Sequence, residues 1–235
     1  MNFPKDIILT NSVRPDAFDA LDSFKIHHFP MINIKPKDIK AFNLSDYDYF
    51  IFTSQNSVEI FFDYPFVRVQ YEKQIKAICS GSKTEEKLRK LGATISFSSN
   101  SSYALDMIDE LKELKFIKNS KVLVIVGSLS DTSKYDELKK YSRISILEIY
   151  KTEKNTYFNH HLDKILKKGN SISVFASPSS FAAFTSIYNS FNTEIYSIGE
   201  TTSEYIKSQG FDVITSKEQT FDSLVNEIIN NTYQL

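Results

Sequence analysis

YFIFTSQNSVEIFF, residues Tyr49–Phe62, sets an apolar run ahead of a cluster of small hydroxyl and amide side chains. Apolar residues then recur at helical spacing, at Val58, Phe61 and Phe62. The stretch reads as a buried strand, a polar hinge and an amphipathic helix that Ser54 or Asn56 can cap. SVFASPSSFAAF, residues Ser173–Phe184, repeats the design. There Ser177 is a good N-cap, and Pro178 falls at the first helical position, where a missing N–H costs nothing.

The repeat extends further. GSKTEEKLRKLG (Gly81–Gly92) matches GETTSEYIKSQG (Gly199–Gly210), with Gly81 to Gly199, Thr84 to Thr202 and Gly92 to Gly210 at one constant spacing. The hinge serines Ser54 and Ser177 stand slightly further apart, which fits a longer loop in the first copy. Ser82…Glu85 and Thr201…Glu204 both have the spacing of a capping box. Strands are expected at 7–10, 25–29, 49–53, 74–79, 94–97, 122–126, 144–148, 172–176, 194–198 and 212–215, with helical patterns between them. Alternation of that kind implies βαβ units and mainly parallel sheets.

The expected fold class is therefore α/β, with two similar parallel-sheet domains. Strand counting balances only if the N-terminal segment joins the C-terminal part. The first domain is then discontinuous, residues 1–34 plus 152–235, with a second domain, 37–148, inserted into it. PMINIKP (about 30–36) and EIYKTEKN (about 148–155) supply the two crossings, a two-stranded linker.

In parallel sheets, helices that follow strands begin at the carboxyl ends of those strands, where open α/β folds bind ligands. Free N–H groups and the helix dipole there favour anions without needing lysine. Two domains presenting such edges to each other would line a cleft for a ligand carrying several carboxylates or phosphates.

Other chemistry is sparse. The 28 basic and 29 acidic residues nearly cancel, so nothing draws the chain toward nucleic acid or a membrane surface. The single cysteine, Cys79, lies in an apolar run and reads as a buried, inert thiol. The pairs His27-His28 and His160-His161 lack metal-ligand spacing, and no cofactor motif is present. VGSLSD (Val126–Asp131) carries one glycine after a strand, a weak phosphate signal. Without a signal-peptide pattern or a membrane-length apolar run, the expected setting is the cytoplasm and the expected state a monomer.

The motifs, in order, resemble those of uroporphyrinogen-III synthases. FTSQNSVEIFF is similar to that family's first strand-to-helix hinge, SGSKTEEKLRKLGA to its G-x-x-T segment and ILEIYKTEKN to its tyrosine-bearing crossing. FASPSSFAAF is similar to its second hinge, and IGETTSEYIKSQGF to its IG-x-T-T segment. The resemblance implies two α/β domains on a two-stranded linker, no cofactor and no metal. It also implies closure of the linear tetrapyrrole hydroxymethylbilane to uroporphyrinogen III, with loss of water and inversion of ring D. Tyr150 matches the tyrosine proposed to assist departure of the substrate's hydroxyl. Ser54, Asn56, Thr84, Ser177, Ser179 and Thr202 would hold the carboxylate side chains of that small-molecule substrate. Two positions depart from the pattern, since Asn11 and Val126 stand where many relatives carry arginine. The alternatives are a two-lobed homologue that binds a tetrapyrrole or other polycarboxylate without turnover, and a bilobed small-molecule sensor.

Overall fold

A computed structural model describes residues 5–70, 75–101 and 103–233; Gln74, the first residue of the strand expected at 74–79, lies outside them. The chain begins with β1 (Asp6–Leu9), β2 (Lys25–His28), β3 (Ile32–Pro36) and β4 (Tyr49–Phe52). Next come α1 (Gln55–Asp63), α2 (Pro65–Gln70), β5 (Lys76–Ser80), α3 (Ser82–Lys90), β6 (Thr94–Ser99) and α4 (Ala104–Glu113). β7 (Lys121–Gly127) leads through a 3₁₀ helix, Ser133–Lys140, into β8 (Arg143–Lys154). The chain ends with α5 (His160–Lys168), β9 (Ser171–Phe175), α6 (Pro178–Ile187), β10 (Glu194–Ser197), α7 (Glu200–Ser208), β11 (Ile214–Thr215) and α8 (Phe221–Tyr233).

Two compact units result, Met1–Ile34 with Glu153–Leu235, and Lys35–Thr152. The chain passes between them within β3 and within β8, which are neighbours in a six-stranded sheet. Their directions oppose: Lys37 N–H donates to Ile149 O, and Asn155 N–H donates to Met31 O. β8 is longer than the sequence reading allowed. A strand ending at Glu148 and a separate crossing were expected, yet one strand runs from Arg143 to Lys154. No glycine or proline interrupts ILEIYKTEK, so nothing in the chain stops the strand there.

The discontinuous unit carries a sheet of order β11-β10-β9-β1-β2, parallel throughout. Neighbouring side chains on a strand point to opposite faces, and this sheet is covered on both. Ile8 packs with Leu162, Leu166, Phe175, Phe181 and Phe184 beneath α5 and α6. Ile7 and Leu9 face the other way, onto Phe18, Leu21, Leu224 and Ile228. α5 forms because Leu162, Ile165 and Leu166 share one face, Asn159 caps its first turn, and Gly169 at φ 73° ends it.

In the Lys35–Thr152 unit the order is β3-β8-β7-β4-β5-β6. On one face Ile51, Ile78, Val122 and Val124 meet Met107 and Leu111 of α4. On the other, Phe50 and Phe52 make tilted and edge contacts with Phe61 and Phe62 of α1, at 5.6–6.3 Å between ring centroids. Each such buried aromatic contributes roughly 2–3 kcal/mol relative to exposure.

Candidate functional site

Each unit places two helix starts side by side. β4 and β5 are parallel neighbours, so α1 and α3 begin on the same edge. β9 and β10 do the same for α6 and α7. Ser54, Asn56, Thr84 and Tyr150 belong to the Lys35–Thr152 unit; Ser177, Ser179 and Thr202 belong to the other.

The two hinges are built alike. Ser54 is the N-cap of α1, its Oγ accepting from Ser57 N–H at 3.1 Å. Ser177 caps α6, accepting from Ser180 N–H at 3.2 Å, with Pro178 behind it at the first helical position. Asn56 sits half-buried on the first turn of α1. The Ser179 hydroxyl lies 3.0 Å from that of Ser177. Each cap satisfies one N–H of its helix start and leaves others available to an anion.

The other two starts differ from expectation. Ser82…Glu85 and Thr201…Glu204 do not form capping boxes: the N-caps are Gly81 and Gly199, with no side-chain cap bond at either. Gly81 takes φ 80°, a conformation that lets strand pass to helix through one residue and leaves Ser82 already inside the helix. Glu85 turns away from the cap and pairs with Arg89 at 2.7 Å. Bare glycine caps present backbone N–H groups with no side chain competing for them. Thr84 and Thr202 then occupy the same place, the third position of α3 and of α7, and both are buried.

Tyr150 lies opposite Gly127 across β7 and β8, where the register shifts between Val126 and Gly127. Its ring rests directly on the glycine: a Cβ at Gly127 would fall 2.2 Å from Tyr150 Cε2. The backbone closes the corner, Ser128 N–H donating to Tyr150 O at 2.9 Å and Thr152 N–H to Ser128 Oγ at 3.1 Å. Val126 is inside the core with Met107 and Leu111. Asn11 follows β1, donating from its side-chain amide to Val13 O, while its own backbone carbonyl accepts from His28 Nε2 at 2.8 Å.

Several polar groups at these edges were not singled out in the sequence. Tyr135 is fully buried, its hydroxyl has no hydrogen-bond partner, and Ser80 Oγ at the end of β5 has none either. Burial pushes the Tyr135 phenol up to about 12, with Thr53 pulling the other way. Thr53 is close enough to act on the phenol, yet no hydrogen bond of normal geometry joins them. Each unpartnered buried group costs about 1–3 kcal/mol, so the two call for a reason. The single thiol, Cys79, is buried, and desolvation raises its pKa, opposed by Ser98.

No match is found among curated proteins. The sequence matches the family model for uroporphyrinogen-III synthase HemD over residues 18–226. This chain belongs to the uroporphyrinogen-III synthase family. As a uroporphyrinogen-III synthase it is a lyase of porphyrin biosynthesis that cyclises hydroxymethylbilane. Solved structures agree in fold. The uroporphyrinogen-III synthetase of Helicobacter pylori 26695 is similar at TM-score 0.72 and 17% identity, over 97% of this chain and 99% of that one. A mutant uroporphyrinogen III synthase from the extremely thermophilic bacterium Thermus thermophilus is similar at TM-score 0.63 and 12% identity, over 98% and 100%.

Proposed function

We propose that this uroporphyrinogen-III synthase receives the acetates and propionates of its substrate at the four helix starts described above, and that Tyr150 assists departure of the ring-A hydroxyl. The observation that carries this reading is the paired construction of those starts, two glycine-capped with a buried threonine and two serine-capped, at the carboxyl ends of adjacent strands. Ser54, Asn56, Ser177 and Ser179 supply hydroxyl and amide contacts, and Thr84 and Thr202 orient the first turns of α3 and α7. Neutral donors suit a substrate whose many carboxylates must be placed rather than merely attracted.

Breaking the C–O bond of the hydroxymethyl group, carried on ring A at the opposite end of the linear chain from ring D, needs the ring-A nitrogen to push its electron pair inward while the oxygen departs. The Tyr150 phenol donates a hydrogen bond to that oxygen and eases its developing negative charge. The oxygen takes up a proton and the pyrrole N–H gives one up, so water is lost overall. The resulting azafulvene is reactive enough to close unaided. Its placement decides which carbon of ring D attacks its methylene, so positioning is the protein's main task.

We propose further that the Lys35–Thr152 unit is the inserted domain and that Met1–Ile34 with Glu153–Leu235 forms the outer one. The same reading makes the protein a cytoplasmic monomer with no nucleic-acid partner; its balanced charge supports the last of these. No helix among the described residues is long and apolar enough to cross a membrane.

The test is isomer analysis. Hydroxymethylbilane is generated in situ, the protein added, and the oxidised products separated into uroporphyrins I and III. Predominant isomer III is expected. Isomer I alone, as in the protein-free reaction, would overturn turnover and leave binding only. Thr84→Val and Ser177→Ala should each raise KM severalfold.

A further inference from the structure

Lys134 differs from the ion-paired lysines of its unit. Lys37, Lys87, Lys90, Lys112, Lys139 and Lys140 each pair with a carboxylate at 2.6–2.9 Å. Lys134 forms no ion pair with any described carboxylate, although it is half-buried. Asp131, the charge that acts on it, is already engaged by Ser133 N–H at 3.0 Å and Ser133 Oγ at 2.6 Å. The ammonium instead lies 5.4 Å from the centre of the Tyr135 ring. A ring face recovers only part of the hydration that a partly desolvated ammonium gives up.

The Tyr135 ring beneath it is fully buried, and its hydroxyl, beside Thr53 at the end of β4, is the unpartnered one described above. Ser80 Oγ, also unpartnered, ends β5, the strand next to β4. β7, β4 and β5 are consecutive in the sheet, and the 3₁₀ helix bearing Lys134 follows β7. One cation and three hydroxyls thus belong to elements meeting at the edge where α1 begins. A single positive charge with neutral donors matches a carboxylate; a phosphate dianion calls for more than one cation.

We propose that Lys134, with the Thr53 and Tyr135 hydroxyls, receives one carboxylate side chain of the tetrapyrrole substrate on the edge of the Lys35–Thr152 unit. The proposal rests on the reading that substrate carboxylates are received along that edge. It makes Lys134 a cationic anchor among otherwise neutral contacts, fixing one side chain while the neutral starts align the rest.

Steady-state kinetics on the full chain, with product isomers separated, decides it. Lys134→Met should raise KM for hydroxymethylbilane about tenfold, the value of one charge-assisted contact, with kcat within twofold. Lys134→Arg should restore most of the affinity. Added salt should raise KM for the parent protein and much less for Lys134→Met. Tyr135→Phe should raise KM severalfold while its melting temperature holds or rises. If Lys134→Met and Tyr135→Phe leave KM unchanged while Thr84→Val raises it, the proposal fails and the edge reading survives. If none of the three moves KM, the edge reading falls too. Should Lys134→Met not fold, Tyr135→Phe decides alone, and an unchanged KM there overturns the proposal.

Discussion

The ring of Tyr150 occupies the space in which any residue but glycine would carry its Cβ at position 127, with Cε2 at 2.2 Å and Cζ at 2.3 Å from that point. The phenol is therefore located by an absence of side chain on β7, helped by the register shift at that point. Gly127→Ala must move the ring. On the proposed role of Tyr150, Tyr150→Phe lowers kcat about tenfold, below the hundredfold or more of strong acid–base catalysis. Gly127→Ala should lower it at least as far with the phenol still present. Isomer III formation by both variants is the check; a Gly127→Ala enzyme with parental kcat would detach ring position from turnover.

Cap and substrate roles of the hinge serines are separable. Ser54→Ala and Ser177→Ala each remove a bond to a first-turn N–H and should cost about 1 kcal/mol. For a chain of this size that lowers the melting temperature by roughly 2–4 °C. Ser→Gly at either position should cost only a few tenths of a kcal/mol. A Gly variant that melts like the parent but raises KM would isolate the substrate contact.

The two glycine caps should not respond alike. Gly81 has φ 80° and ψ 135°, a sparsely populated conformation, so Gly81→Ala carries about 1–3 kcal/mol of backbone strain. Gly199 is extended at φ −174°, which any residue adopts; the nearest atoms to a Cβ there belong to Gln219, with Cγ at 2.8 Å, on a side chain that can swing aside. Denaturant melts should rank Gly81→Ala as the more damaging. The reverse order would mean that Gln219 is held rigidly.

Tyr135 gives a pH dependence with a definite sign. Its folded pKa of about 12 lies above the ordinary phenol value of 10.0. Between those values the unfolded chain has released a proton that the folded chain keeps, so stability falls as pH rises through that window. Tyr135→Phe should remove this part of the alkaline loss, and at neutral pH it should match or exceed the parent in stability. Melts from about pH 9 to about 12 test it, and identical alkaline slopes for both proteins would count against the assignment.

Ser54 and Ser177 were legible as caps because a cap is a local matter of one side chain and the turn after it. The capping boxes at Ser82 and Thr201 misread a backbone question as a side-chain one. Spacing cannot report that Gly81 makes the turn in one residue. Lys134 and Tyr135 were silent in the sequence, since KYDEL reads as an ordinary solvated helix. Tyr135 is buried by tertiary packing, in a cluster with Met107 and Leu111 of α4 and with strand residues such as Ile51 and Val124. The contact of Tyr150 with Gly127 is equally non-local, depending on where β7 and β8 shift register. Apolar runs bounded by polar residues marked most strands within a residue or two, and the boundary failed at β8 because nothing in that run punctuates it.

β1 has a consequence for alignment. With Ile7 and Leu9 facing one core and Ile8 the other, a slip of one residue would trade apolar for apolar. Greasiness therefore holds the strand in place without choosing its position. The choice falls to Thr10, whose buried Oγ1 donates to Val174 O at 2.7 Å, just beyond the pairing of Leu9 with Val174. That hydroxyl acts as an end-stop, setting how far β1 slides along β9. Through β9 it sets the level at which Ser177 meets the edge, so a threonine outside every catalytic motif gauges the seat of one.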